Sequence, residues 1–151
     1  MKEKKFIRAA LAEALKGQHR GEVPVGAVVV YQNKIIARAQ NTREQKQSPI
    51  GHAEINAIAK AAKKLGTWRL ENCDVYITLE PCPMCAGALQ QARVRSVYFG
   101  VFDPKGGCIS LNLNLNQNTK LNHQYEMKCL EEAECGQILS AFFKAKRKTK
   151  S

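Results

Sequence analysis

Two short stretches bring together residue types that bind a transition metal and move a proton: His52-Ala53-Glu54 and Pro81-Cys82-Pro83-Met84-Cys85. Zinc takes imidazole nitrogen and thiolate sulfur, and a catalytic zinc keeps three protein ligands with a fourth position open. His52, Cys82 and Cys85 supply three. Proline is favoured at the first helical position, so Pro83 makes Cys82 an N-cap and puts Cys85 over the same turn, both sulfurs facing one ion. A helix N-terminus also lowers a thiol pKa. His52 and Glu54 are two apart, which on a regular helix would point them to opposite sides. His52 is therefore expected just outside a helix, with Glu54 in its first turn reaching the fourth coordination position. Zinc lowers the pKa of a bound water to about 7 and a neighbouring carboxylate can move the proton, which casts Glu54 as a shuttle and not a ligand. A closed, structural zinc with a fourth ligand from Cys73, Cys108, Cys129, Cys135, His19 or His123 fits the spacing too. Glu54 argues against that reading, although a first-turn glutamate is also ordinary helix chemistry.

The elements that must position these residues are legible in the periodicity. Phe6, Ile7, Ala10, Leu11, Ala14 and Leu15 recur at helical spacing over residues 4–16, with Gly17 as the stop. Residues 23–31 and 34–39 read as strands around a Gln32-Asn33 turn, a hairpin whose end delivers Asn41. Residues 42–51 read as a loop edging a pocket. A helix is expected over 53–65, with Ile55, Ile58, Ala59 and Ala62 as its apolar stripe and Gly66 as its terminator. Strand 74–79, helix 83–92 and strand 94–101 follow, then a strand over 125–129 and a helix over 130–146 with Leu130, Ile138, Leu139, Phe142 and Phe143 on its stripe. Leu and Asn alternate over 111–116 in a strand-like pattern with no functional account. Strands alternating with helices imply crossovers and a sheet covered on both faces.

The 151 residues suit one domain spanning 1–151, long enough to bury roughly 70% of the unfolded chain's surface. Lys and Arg number 24 against 13 Asp and Glu, a formal net charge of +11, which favours RNA or an anionic membrane as partner. No run approaches the ~18 apolar residues of a spanning helix, which weakens the membrane reading. Six cysteines suggest disulfides, but the first ten residues lack the apolar core of a secretory signal and two cysteines are claimed by zinc, so a reducing cytoplasm is expected. The chain ends in a basic tail, residues 144–151.

H-x-E followed by P-C-x-x-C is the signature of the zinc nucleobase deaminases. The chain resembles the bacterial tRNA-specific adenosine deaminases of the cytidine/deoxycytidylate deaminase superfamily, along EVPVGAVVV from Glu22 to Val30, Asn41, HAEINAI, TLEPCPMCAGAL and FGVFDPKGG. It departs from the pattern in the CISLN that follows, where a small-residue GS is commoner. The resemblance implies a three-layer α/β/α cytidine-deaminase-like fold with a mixed five-stranded sheet, one zinc per subunit, and a homodimer. It implies hydrolysis of adenosine to inosine at the wobble position of a tRNA anticodon stem-loop. The amides of Ala53 and Cys82 and the side chain of Asn41 would then position the base, and Phe143 and Arg147 would lie near the anticodon loop. Asp103 reads equally as a ribose 2′-hydroxyl partner or a turn residue before Pro104. Trp68 and Tyr98 read as base-stacking or core residues. Two alternatives share the motif: a deaminase of free cytosine, cytidine or guanine, and a non-catalytic zinc-stabilised RNA-binding module.

Overall fold

Gln32 and Asn33 adopt φ of 51° and 63°, the left-handed pair that a two-residue hairpin turn requires, and they join β1 (Gly26–Tyr31) to β2 (Lys34–Gln40). The computed structural model describes residues 2–149, so Met1 and the last two residues of the basic tail, Lys150 and Ser151, lie outside the described residues. On its other edge β1 pairs antiparallel with β3 (Cys73–Leu79). Then β4 (Ser96–Val101) and β5 (Glu126–Cys129) add in parallel, giving the order β2-β1-β3-β4-β5. Parallel neighbours need crossovers. One is α3 (Pro83–Gln91), and the other is the long segment from β4 to β5, which contains a single 3-10 turn at Leu115–Gln117.

Because successive strand residues face opposite ways, β1 feeds two cores. Ala27 and Val29 pack with Val75, Ile77, Leu89 and the alanines of α2 (Ala53–Leu65). Val28 and Val30 pack with Phe6, Ile7, Ala10 and Leu11 of α1 (Lys2–Gln18), and Cys135 from α4 (Ala133–Thr149) completes that side. Helices thus cover both faces, the three-layer arrangement expected. Tyr98 stacks on Tyr76 at 4.7 Å, which makes it a packing residue. Trp68 lies on the surface beside Arg69 and Arg93.

Several boundaries differ from those the sequence suggests. The first strand begins at Gly26, not residue 23, because Pro24 has no N–H to give a ladder. At Gly26 α1 comes so close that a β-carbon would collide with the Ala10 carbonyl oxygen and the Ala14 amide nitrogen. Gly17 does not stop α1, which runs to Gln18; the chain turns at Gly21, with φ 83°. On α2 the buried stripe is Ala53, Ala57 and Ala61, small residues that let the helix lie close on the sheet, while Ile55 and Ile58 are only half buried. The last helix starts at Ala133, because Glu131 takes a φ of 53°, and it carries the basic residues 144–148 within it, not as a separate tail. Residues 111–116 form turns, not a strand, and leave Leu111 and Leu113 exposed.

Two buried carboxylates hold the loops that leave the sheet. Glu22 accepts the amides of Glu44 and Gln45 at 3.0 and 2.6 Å, tying down the loop between β2 and α2. Glu80 accepts the Asp103 amide at 2.9 Å and the Ser110 amide and hydroxyl at 2.8 and 2.6 Å, which fastens the loop after β4. Gly107 is needed beside it, since a β-carbon there would strike the Glu80 carboxylate. Glu80→Ala is expected to cost on the order of 2–3 kcal/mol, because three donors lose a charged acceptor, and to speed hydrogen exchange at Asp103 and Ser110. Gly26→Ala is expected to cost about 1–3 kcal/mol through overpacking. Urea denaturation midpoints check both.

Candidate active site

The helices α2 and α3 begin side by side with the same unusual economy. His52 and Cys82 are their N-caps, both with extended backbone (φ −83°, ψ 151°; φ −73°, ψ 170°), and neither side chain caps its own helix. N-cap residues ordinarily spend their side chains on the first free amides; these two turn toward each other. His52 Nδ1 lies 3.7 Å from Cys82 Sγ and 3.3 Å from Cys85 Sγ. Pro83 fills the first helical position as expected, and Cys85 follows one turn on, fully buried.

These separations fit one tetrahedral metal. With Zn–S near 2.3 Å and Zn–N near 2.0–2.1 Å, a tetrahedral angle separates sulfur from nitrogen by about 3.6 Å. All three ligand atoms lie within 4.8 Å of one another, and among the described residues this is the one group of three or more metal-ligating side chains so arranged. None of the six candidate fourth ligands enters the group. The Cys108 thiol donates to the Leu113 carbonyl, that of Cys129 to Gly100, and His123 meets the Val94 carbonyl. Burial pushes the Cys73 and Cys135 thiols up to about 11 and about 12, as for small apolar side chains.

The electrostatics of the cluster favour a thiolate at Cys82. A hydrogen bond from Cys85 holds the Cys82 thiol down to about 4, and the same bond together with burial raises Cys85. The hydrogen bond with Cys82 raises His52. Glu54, in the first turn of α2, is 4% exposed, and burial pushes its carboxyl up to about 7. A buried carboxyl with such a value can take and release a proton near neutrality.

The cluster opens on a cavity of about 830 Å³. Asn41 and Arg43 line it together with Val23 and Val25, and the loop after β4 contributes Phe102, Asp103, Pro104 and Lys105. The remaining wall is a single face of α4, with Gly136, Leu139, Ser140, Phe143 and Arg147 at helical spacing. All nine residues read as site candidates therefore reach one place: His52, Glu54 and Cys82 with Asn41, Ala53, Asp103, Phe143 and Arg147 line the cavity, and Cys85 joins the cluster behind it. The stripe expected on the last helix divides here, since Phe142 is buried and Phe143 is 44% exposed toward the cavity. Asn41 is also a turn residue: its Oδ1 accepts the Arg43 amide at 2.9 Å, and its Nδ2 donates to the Val23 carbonyl at 3.5 Å. Asp103 likewise accepts the amides of Lys105 and Gly106, both at 3.2 Å. Ala53 presents a first-turn amide, one of those that the helix itself leaves free.

The sequence reading missed Glu22, Glu80 and Phe102. A carboxylate closing the apolar run VYITLE, directly before the cysteine motif, was the available signal for Glu80, since a charge carried into the interior must find donors. Phe102 gave none, being one more apolar residue after a strand.

Comparison with known proteins agrees with this geometry. The family model for MafB19-like deaminase matches residues 1–147. A tRNA-specific adenosine deaminase of Bacillus subtilis (strain 168) is 53% identical over 146 residues, 96% of this chain and 91% of that one. A solved structure from work on A-to-I editing by tRNA:A34 deaminases at the wobble position of transfer RNA is 38% identical. It superposes with a TM-score of 0.82, covering 90% of this chain and 99% of its own. A guanine deaminase from Bacillus subtilis is 31% identical with a TM-score of 0.65, over 96% of this chain and 93% of that one. Both the higher identity and the higher structural similarity fall on one side of this comparison, and the chain belongs to the MafB19-like deaminases and, among them, to the tRNA-specific adenosine deaminase family.

Proposed function

We propose that this protein converts adenosine to inosine by hydrolysis at the wobble position of a tRNA anticodon. The observation that carries the reading is the His52, Cys82 and Cys85 triangle with a buried carboxylate, Glu54, on a cavity rimmed by Arg43, Lys105 and Arg147. His52 Nδ1 and the two sulfurs would hold one zinc per chain. Such a site would supply Lewis-acid activation of water near neutral pH.

Glu54 moves the proton. It takes one from the attacking water, gives it to the purine ring nitrogen beside the amino-bearing carbon, and serves again as the amine leaves. Oxygen is added at that carbon, the carbon–nitrogen bond breaks, and ammonia departs, so the atoms of one water are consumed. The amides of Ala53 and Cys82, at the helix starts, and the Asn41 side chain position the base edge. The three cations at the rim and the chain's +11 charge suit a polyanionic substrate better than a small neutral nucleoside. A single-stranded anticodon loop presents its adenosine with little unstacking cost. The proposal extends to a homodimer, which the family resemblance supports, and to a reducing cytoplasm, which suits free thiols. Among the described residues no helix is long and apolar enough to cross a membrane.

The discriminating experiment offers the purified protein anticodon stem-loops with adenosine at the wobble position beside free adenosine, cytidine, cytosine and guanine, and identifies products by mass. Inosine in the stem-loop is expected; xanthine or uracil products with an untouched stem-loop would replace this reading with the free-base one. Glu54→Gln is expected to keep its zinc and its melting temperature and to lose about 100- to 10,000-fold in kcat. Cys85→Ala should instead lose zinc and stability together, because metal binding is coupled to folding, as metal analysis and thermal melts of the same sample would show. Arg147→Ala should reduce the salt slope of stem-loop binding by about one phosphate's worth, in affinity measured across a salt series.

A further inference from the structure

Phe102 is a large aromatic of the cavity that neither metal binding nor proton transfer uses. It is 51% exposed, the first residue beyond β4, and lines the cavity. An exposed phenylalanine by itself needs no explanation. This one is held in place from both ends. Its ring sits edge-to-face on buried Phe99, with centroids 5.2 Å apart. The next residue, Asp103, donates its amide to the buried Glu80 carboxylate at 2.9 Å and closes a turn by accepting the Lys105 and Gly106 amides. The ring is thus presented to the cavity already ordered, so little conformational entropy is lost when something covers it. Phe143 brings a second half-exposed ring to the same cavity from α4, and Lys105 and Arg147 add cations to its lining.

The cavity, about 830 Å³, is at the upper end of the range that encloses whole drug-sized ligands, so a single flipped base leaves room for its neighbours. Aromatic faces flanked by cations are how single-stranded nucleic acid is held irrespective of sequence. From this, and resting on the function proposed above, we infer that Phe102 is a stacking platform for a nucleotide next to the target adenosine, a positioning residue that acts on the substrate's register and not on the chemistry.

The test is a double-mutant cycle between protein and RNA. Wild type, Phe102→Ala, Phe102→Leu and Phe102→Trp are titrated against an anticodon stem-loop and against versions carrying one abasic site immediately 5′ or 3′ of the wobble adenosine. Stacking is worth roughly 5- to 150-fold per base. Phe102→Ala and Phe102→Leu should each lose about that much affinity and kcat/KM for the intact loop, Phe102→Trp should retain both, and the salt slope and zinc content should not move. One of the two abasic sites should cost the wild type a similar factor and cost Phe102→Ala nothing more. Full additivity of the two losses at both positions, or wild-type binding by Phe102→Ala and Phe102→Leu, overturns the platform while leaving the editing activity standing. A wild-type chain that neither binds nor edits the intact loop overturns the proposed function and the platform together.

Discussion

The contact between His52 Nδ1 and the sulfurs of Cys82 and Cys85, at 3.7 and 3.3 Å, constrains the placement of most of the chain. For it to form, α2 and α3 must start at the same level, and they can do so only because β1, β2 and β3 lie in one sheet beneath them. The alanine stripe Ala53, Ala57 and Ala61 sets how closely α2 approaches that sheet, and Pro83 sets where α3 begins. Both helices forgo side-chain caps worth about 1 kcal/mol each, a local cost that leaves the N-cap side chains available as ligands.

Glu22 and Glu80 extend that logic outward. Buried charges are tolerated only when their oxygens are satisfied, and these two meet that demand with the backbone of the loops that wall the cavity. Loops that would otherwise be mobile are thereby given fixed positions around the cluster. Preorganised walls matter for a deaminase because the target base must be held in register after it has left its stack. The opposite wall needs no such device, being a regular helix whose residues 136, 139, 140, 143 and 147 share one face.

Much of this is written in local signals. The N-cap status of Cys82 follows from Pro83, that of His52 from its two-residue offset to Glu54, and the hairpin from Gln32-Asn33; each depends on neighbours in sequence, and each is found in the fold. What sequence patterns miss is decided by distant partners. Position 26 must be glycine because α1 lies against it, the buried side of α2 is chosen by the sheet and not by the largest residues, and the Leu-Asn alternation never becomes a strand because Asn116 goes inside to bond the Tyr125 carbonyl. Glu80 and Phe102 belong to the same class: one is defined by a loop some 23 to 30 residues away, the other by the cavity it faces. The family resemblance is legible for the opposite reason, since each of its two motifs is local: His52 and Glu54 are two residues apart, Cys82 and Cys85 three.

X-ray absorption at the zinc edge of the purified protein tests the open three-ligand centre most directly. The account predicts two sulfur scatterers near 2.3 Å and two light ones near 2.0 Å, one imidazole and one exchangeable oxygen. Three or four sulfurs, or two imidazoles in the first shell, would contradict it and make the metal a closed structural one.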